Sequence, residues 1–200
     1  MLEKLISVDV SLLNFIRSII NPDSILQVEL VKFFADFGVF YVALLLVGLW
    51  LFGVYLKKDK PKEKALWLFY SIAFSFLIYV ILNLGLPLRP RPETVSAIRP
   101  LVDHLPDNSF PSGHAIFAGA AILASFFFCG KKWIIMSLVV VLSLMLVSRI
   151  IAGIHYPSDI FVGLIIGFIG SFVIFKLSNK NIFTKYLIPY PIKFAKFFKL

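Results

Sequence analysis

Four short stretches carry residue types that phosphoryl transfer through a phosphohistidine requires: Arg91-Pro92, Pro111-Ser112-Gly113-His114, Ser148-Arg149, and His155 with Asp159 four residues on. A nucleophilic imidazole needs one ring nitrogen held by a carboxylate so that the other is free to attack. The i, i+4 spacing of His155 and Asp159 puts both on one helical face. His114 falls in the first turn of a helix opening at Pro111-Ser112-Gly113. Pro is at home at that end, and the exposed backbone N–H groups favour an anion. Gly113 would permit close backbone approach to a phosphate oxygen. Arginine clamps oxyanions through planar bidentate contacts, and Arg149 closes the uncharged run Trp133–Ser148.

These polar groups sit in a chain that is 60% hydrophobic and 16% charged, with a mean hydropathy of +0.92. That balance lies outside the soluble range and makes lipid the solvent for most of the chain. The runs Phe37–Leu56, Ala65–Leu84, Trp133–Ser148 (continuing to Ala152) and Ile160–Phe175 are long enough, or nearly so, to cross about 30 Å of hydrocarbon. A fifth, Ala115–Gly130, follows Pro-Ser-Gly-His directly. The expectation is an all-α integral membrane bundle of about five to six transmembrane helices. It forms one domain: amphipathic interfacial helices over 1–35, a transmembrane core over 37–177 and a basic tail over 178–200. The net charge of +9 is gathered at the ends of apolar runs, a topology signal with no nucleic-acid motif beside it.

Lys4, Ser7, Ser11, Asn14, Ser18 and Asn21 recur every three or four residues, leaving Leu5, Leu12, Leu13 and Ile16 for the other face. Residues 2–20 therefore read as an amphipathic helix in the interface or against the bundle. Asn21-Pro22 breaks it, and a second interfacial helix is expected over Asp23–Asp36. The start lacks the pattern of a cleaved signal peptide. Five lysines in Lys57–Lys64, Lys131 and Lys132, and the tail lysines share one side, the cytoplasmic side by the positive-inside rule. A hairpin of two similar-length helices then returns His155 to the face where His114 began, with Arg89 and Arg91 entering from the loop after the second span. This places the site at the outer face of a plasma membrane. No metal set is expected: His104 reads as a loop histidine, and Glu93, Asp103 and Asp107 as solvated loop residues. Cys129 reads as a small apolar residue at a helix end. Gly163, Gly167 and Gly170 indicate close helix contact.

These motifs resemble the three-part signature of the phosphatidic acid phosphatase type 2 superfamily: Lys, six residues, Arg-Pro; Pro-Ser-Gly-His; and Ser-Arg, five residues, His, three residues, Asp. The second and third parts match in full. In the first, Arg91-Pro92 matches but Leu84 stands at the lysine position. The resemblance implies His155 as nucleophile, Asp159 as its partner and His114 as proton donor to the leaving oxygen. Arg91, Arg149, Ser112 and the Gly113 N–H would hold the phosphate, with Arg89 standing in for the lysine. It implies no cofactor, and a lipid phosphate or diphosphate in the bilayer as partner. Small size and N-terminal interfacial helices are most similar to bacterial undecaprenyl-diphosphate phosphatases, so undecaprenyl diphosphate is the expected substrate. Phosphatidylglycerophosphate or phosphatidic acid is the alternative. The superfamily also contains vanadium haloperoxidases, and a lipid-binding or scrambling protein on the same scaffold is the non-enzymatic alternative.

Overall fold

A computed structural model describes residues 2–87, 89–95, 98–102 and 108–198. Asp103, His104 and Asp107 lie outside the described residues, as do the side chains of Lys4 and Leu5. Every regular element described is helical: α1 Leu2–Arg17, α2 Ile25–Tyr55, α3 Asp59–Gly85, the single turn α4 Pro92–Val95, α5 Gly113–Ala124 continued by a π-helical turn Ser125–Cys129, α6 Lys132–Ile151, α7 Pro157–Leu177, a second π-helical turn Phe183–Leu187, and α8 Pro189–Phe197. Helices α2, α3, α6 and α7 have the length and apolarity to cross a membrane, and Gly113–Cys129 is a shorter apolar helix among them. Large apolar side chains such as Phe40, Leu44, Phe69 and Phe161 face outward, the arrangement of a bundle solvated by lipid.

The centre of the bundle is the pair α5 and α7. A Cβ on Gly163 would lie 2.7 Å from the Ser112 carbonyl oxygen, and one on Gly119 would lie 2.5 Å from that of Leu164. The two backbones meet at a distance only glycine allows. Leu68, Ala118, Leu138, Leu142 and Met145 are fully buried in one apolar core, Leu142 and Met145 against Gly38 of α2.

One expectation needs correction. The segment 23–36 is not a separate interfacial helix: it is the start of α2, which runs unbroken for 31 residues. Nothing in Ile25–Phe37 breaks a helix, and Glu29 and Lys32 form an i, i+3 ion pair at 2.7 Å on its exposed face, so the helix simply extends beyond the hydrocarbon. The amphipathic N-terminal part is therefore α1 alone, lying against α6 and α7. The basic tail folds as α8 and returns to the bundle. Lys196 Nζ reaches Asp59 Oδ2 at 2.7 Å, and Lys64 Nζ donates to the Cys129 carbonyl at 2.9 Å. The three lysine-rich regions are thereby gathered at one end, opposite the starts of α5 and α7.

Candidate functional site

Three features of local structure present His155. Arg149 lies in the last turn of α6, Gly153 reverses the chain at φ +77°, and α7 begins two residues after His155 at Pro157. A positive φ at Gly153 is what glycine supplies without strain. Asp159, in the first turn of α7, accepts from the Tyr156 backbone N–H at 2.9 Å and from Ser109 Oγ–H at 2.6 Å. The imidazole of His155 is buried. Its Nδ1 lies 3.1 Å from the Ser109 carbonyl oxygen and 3.7 Å from Asp159 Oδ2.

A carbonyl oxygen only accepts, so Nδ1 carries the proton and Nε2 keeps its lone pair. The expected orienting of His155 by Asp159 is thus shared: the nearer acceptor is a main-chain oxygen of the loop that Asp159 itself holds through the Ser109 hydroxyl. Burial holds His155 well below an ordinary imidazole, at about 4, with the Arg149 and Arg91 charges adding to the effect and Asp159 opposing it. The ring is neutral at physiological pH.

His114 stands at the start of α5, and Arg91 and Arg149 lie within electrostatic reach of both histidines. Arg91 is buried and donates to the Ile154 carbonyl at 2.6 Å. Ser112 caps α5 from an extended conformation, and its own N–H donates to the Asp159 carbonyl at 3.2 Å. The buried Ser112 hydroxyl has no hydrogen-bond partner among the described residues. An unsatisfied buried hydroxyl calls for an explanation, and at the N-terminus of α5 an oxyanion supplies one. The side of Gly113 that a Cβ would occupy meets the Tyr79 ring at 3.3 Å. The packing of α5 on α3 therefore fills the space expected for a phosphate oxygen on that side of Gly113.

Arg89 is not where a lysine substitute should be. Its Nη1 donates to Asp159 Oδ1 at 2.5 Å and Ser158 Oγ at 2.7 Å, its Nη2 donates to Asp9 Oδ2 at 2.6 Å, and its guanidinium stacks 4.2 Å from the Tyr156 ring centroid. It supports Asp159 from behind. Leu84 is 84% exposed on the outer surface of α3, so nothing at the missing lysine position reaches the site.

Two carboxylates were not foreseen. Asp36, about 17 Å along α2 at 1.5 Å per residue, accepts from Arg149 Nη1 at 2.9 Å and lies 3.2 Å from His114 Nε2. It is the lone charge between Phe33-Phe34-Ala35 and Phe37, the one sequence signal that marks it. Asp9 of α1 is buried and accepts from Ser158 N–H at 3.0 Å as well as from the Ser158 hydroxyl. Beside Asp9 and Arg89, a cavity of about 930 Å³ opens between α1 and α7, with walls that include Ile6, Leu12, Leu86, Pro87, Phe110 and Phe161.

A helical membrane bundle that gathers two histidines, buried arginines and a buried, unsatisfied hydroxyl at one end is the architecture of a membrane phosphatase. The chain belongs to the PAP2 superfamily, which it matches over residues 64–183. It is 27% identical over 164 residues to undecaprenyl-diphosphatase BcrC of Bacillus subtilis (strain 168), spanning 82% of this chain and 81% of that one. The crystal structure of Aquifex aeolicus LpxE is similar at a TM-score of 0.68 and 28% identity, covering 84% of this chain and 94% of that one. The transmembrane PAP2-type phosphatidylglycerolphosphate phosphatase from Bacillus subtilis shares the fold at a TM-score of 0.68 and 20% identity, with 88% and 87% covered. Asp9 and Asp36 both lie outside residues 64–183.

Proposed function

We propose that this PAP2 membrane lipid phosphatase hydrolyses a polyprenyl diphosphate, undecaprenyl diphosphate foremost, to the monophosphate, at the outer face of the plasma membrane and without a metal. The observation that supports the mechanism is the 3.1 Å approach of His155 Nδ1 to the Ser109 carbonyl oxygen: a carbonyl only accepts, so the proton sits on Nδ1 and Nε2 is left as a buried neutral nucleophile. The Nε2 lone pair forms an N–P bond to the terminal phosphorus as the bond to the bridging oxygen breaks, and that oxygen leaves with the lipid phosphate. A leaving alkoxide, in a monoester, would take its proton from His114. Water then attacks phosphorus, His114 accepts its proton, the N–P bond breaks and inorganic phosphate departs. Arg91, Arg149, the Ser112 hydroxyl and the first-turn N–H groups of α5 hold the equatorial oxygens as charge builds on them. The substrate rests on likeness to BcrC, and the outer face on the grouping of lysines at the other end.

Asp36 favours a second reading. A carboxylate beside His114 would repel a phosphate leaving group and would accept hydrogen bonds from a hydroxylated one. On that reading the substrate is a lipid monophosphate such as phosphatidylglycerophosphate.

The deciding experiment measures phosphate release by the purified chain from both lipids under matched detergent, with rapid acid- and base-quench trapping of the phosphorylated enzyme. We expect a phosphohistidine at residue 155, loss of turnover in His155→Ala, activity that survives EDTA, and inhibition by vanadate at the phosphate position. Wild-type turnover in His155→Ala would overturn the mechanism. A clear preference for the monophosphate would move the substrate to the second reading.

A further inference from the structure

Arg89 raises an electrostatic problem. Asp159 can stabilise positive charge on His155 only while it remains negative, yet a guanidinium 2.5 Å from its Oδ1 offsets that charge. As the N–P bond forms at Nε2, the ring, still protonated at Nδ1, becomes cationic. Within a buried site, the net charge immediately behind it then acts on the barrier. Asp159 with Arg89 alone sums to zero.

The structure places a third charge on this pair. Asp9, from α1, is buried and sits 2.6 Å from the other terminal nitrogen of the same guanidinium. Its second oxygen accepts from the Ser158 N–H at the start of α7. The three groups sum to one negative charge, and Arg89 is divided between two carboxylates instead of neutralising one. We infer that Asp9 is a positioning residue for phosphoryl transfer: by holding Arg89 from the far side, it leaves Asp159 the negative charge that the cationic His155 requires. The amphipathic N-terminal helix is on this account part of the catalytic apparatus. The inference rests on His155 being the nucleophile.

The charge count sets a test that a purely structural role fails. A purely structural ion pair also recovers in part when both partners are removed, but that recovery follows the thermal midpoint. Charge balance places the recovery in kcat at an unchanged thermal midpoint, because deleting Arg89 after Asp9 restores one negative charge behind His155, and a kcat recovery that only tracks the midpoint counts against the inference. The measurement is a double-mutant cycle on kcat and KM with undecaprenyl diphosphate in one detergent, using the full chain and thermal midpoints as the folding check. We expect Asp9→Asn to lower kcat by about tenfold or more with KM within about twofold, since the interaction is made at the transition state, and Asp9→Glu to recover most of the loss. Arg89→Gln added to Asp9→Asn should raise kcat above that of Asp9→Asn alone. Should Asp9→Asn not fold by itself, Asp9→Asn in the Arg89→Gln background should cost clearly less in kcat than the roughly tenfold expected with Arg89 present, the cation it offsets being gone. Losses that add or deepen in the double variant, or an effect confined to KM, would overturn the inference. His155→Ala is measured alongside. Turnover retained there rejects the nucleophile itself, whereas turnover lost there with additive Asp9 and Arg89 effects rejects only the role of Asp9.

Discussion

At the scale of single residues, the two histidines sit in different surroundings. His155 is enclosed, and its Nδ1 faces a group that can only accept. It should be found as the neutral Nδ1–H tautomer at pH 5.5, where free imidazole is mostly protonated; ¹⁵N NMR of histidine-labelled protein checks this, and a doubly protonated ring would refute it. The linkage has a definite sign. Between about 6.5 and about 4 the unfolded chain takes up a proton that folded His155 refuses, so His155 destabilises the fold progressively as pH falls through that window and contributes nothing above it. His114 instead shares a carboxylate with Arg149. A charge-assisted hydrogen bond is worth about 1.5–3 kcal/mol, so Asp36→Asn should slow monophosphate hydrolysis by roughly tenfold to a hundredfold. Diphosphate hydrolysis should suffer less, because removing that charge also removes its repulsion of a phosphate leaving group. Parallel kcat/KM measurements on the two lipids decide it. That the histidines, Asp159, Arg91 and Arg149 gather at one end could be read from the sequence because ionisable residues in an apolar chain need a reason to be there. Asp9, Asp36 and the true place of Arg89 could not, since a pairing between α1, α2 and the loop before α4 depends on packing that no local spacing encodes.

At the scale of elements, the precision of the site depends on how closely α5 and α7 meet, since one carries Ser112 and His114 and the other Asp159. The glycine spacing on α7 already marked that contact in the sequence, but its partner helix emerges only from the fold. Gly163→Val would drive two methyl groups toward the Ser112 carbonyl and the Ala115 side chain. Overpacking of this kind costs about 1–3 kcal/mol, and here it would also displace the hydroxyl at the start of α5. A lowered thermal midpoint in detergent together with a raised KM is expected; a raised midpoint would refute the packing. The elements least legible in the sequence were the ends. Polar Glu29 and Lys32 suggested a surface helix, but a helix that simply outruns the bilayer bears the same marks.

At the scale of the whole molecule, charge and chemistry lie at opposite ends. The lysines of 57–64, 131–132 and α8 converge on one end, and the starts of α5 and α7 define the other. In a Cys129→Ser background, a cysteine at Thr94 should react with an impermeant thiol reagent on intact cells, and one at Asp59 only after permeabilisation. The reverse pattern would invert the molecule. Between the two ends the core is filled by Leu68, Ala118, Leu138 and Leu142, all fully buried, which is no route for a phosphate. A protein built this way works on a single leaflet. In sealed vesicles with the enzyme in one orientation, hydrolysis should therefore stall once the accessible monolayer is exhausted and resume when the membrane is breached. On the proposed topology, its turnover in a living cell would be governed by a traffic it does not control: the rate at which lipid phosphates cross the bilayer toward it, and at which the product returns.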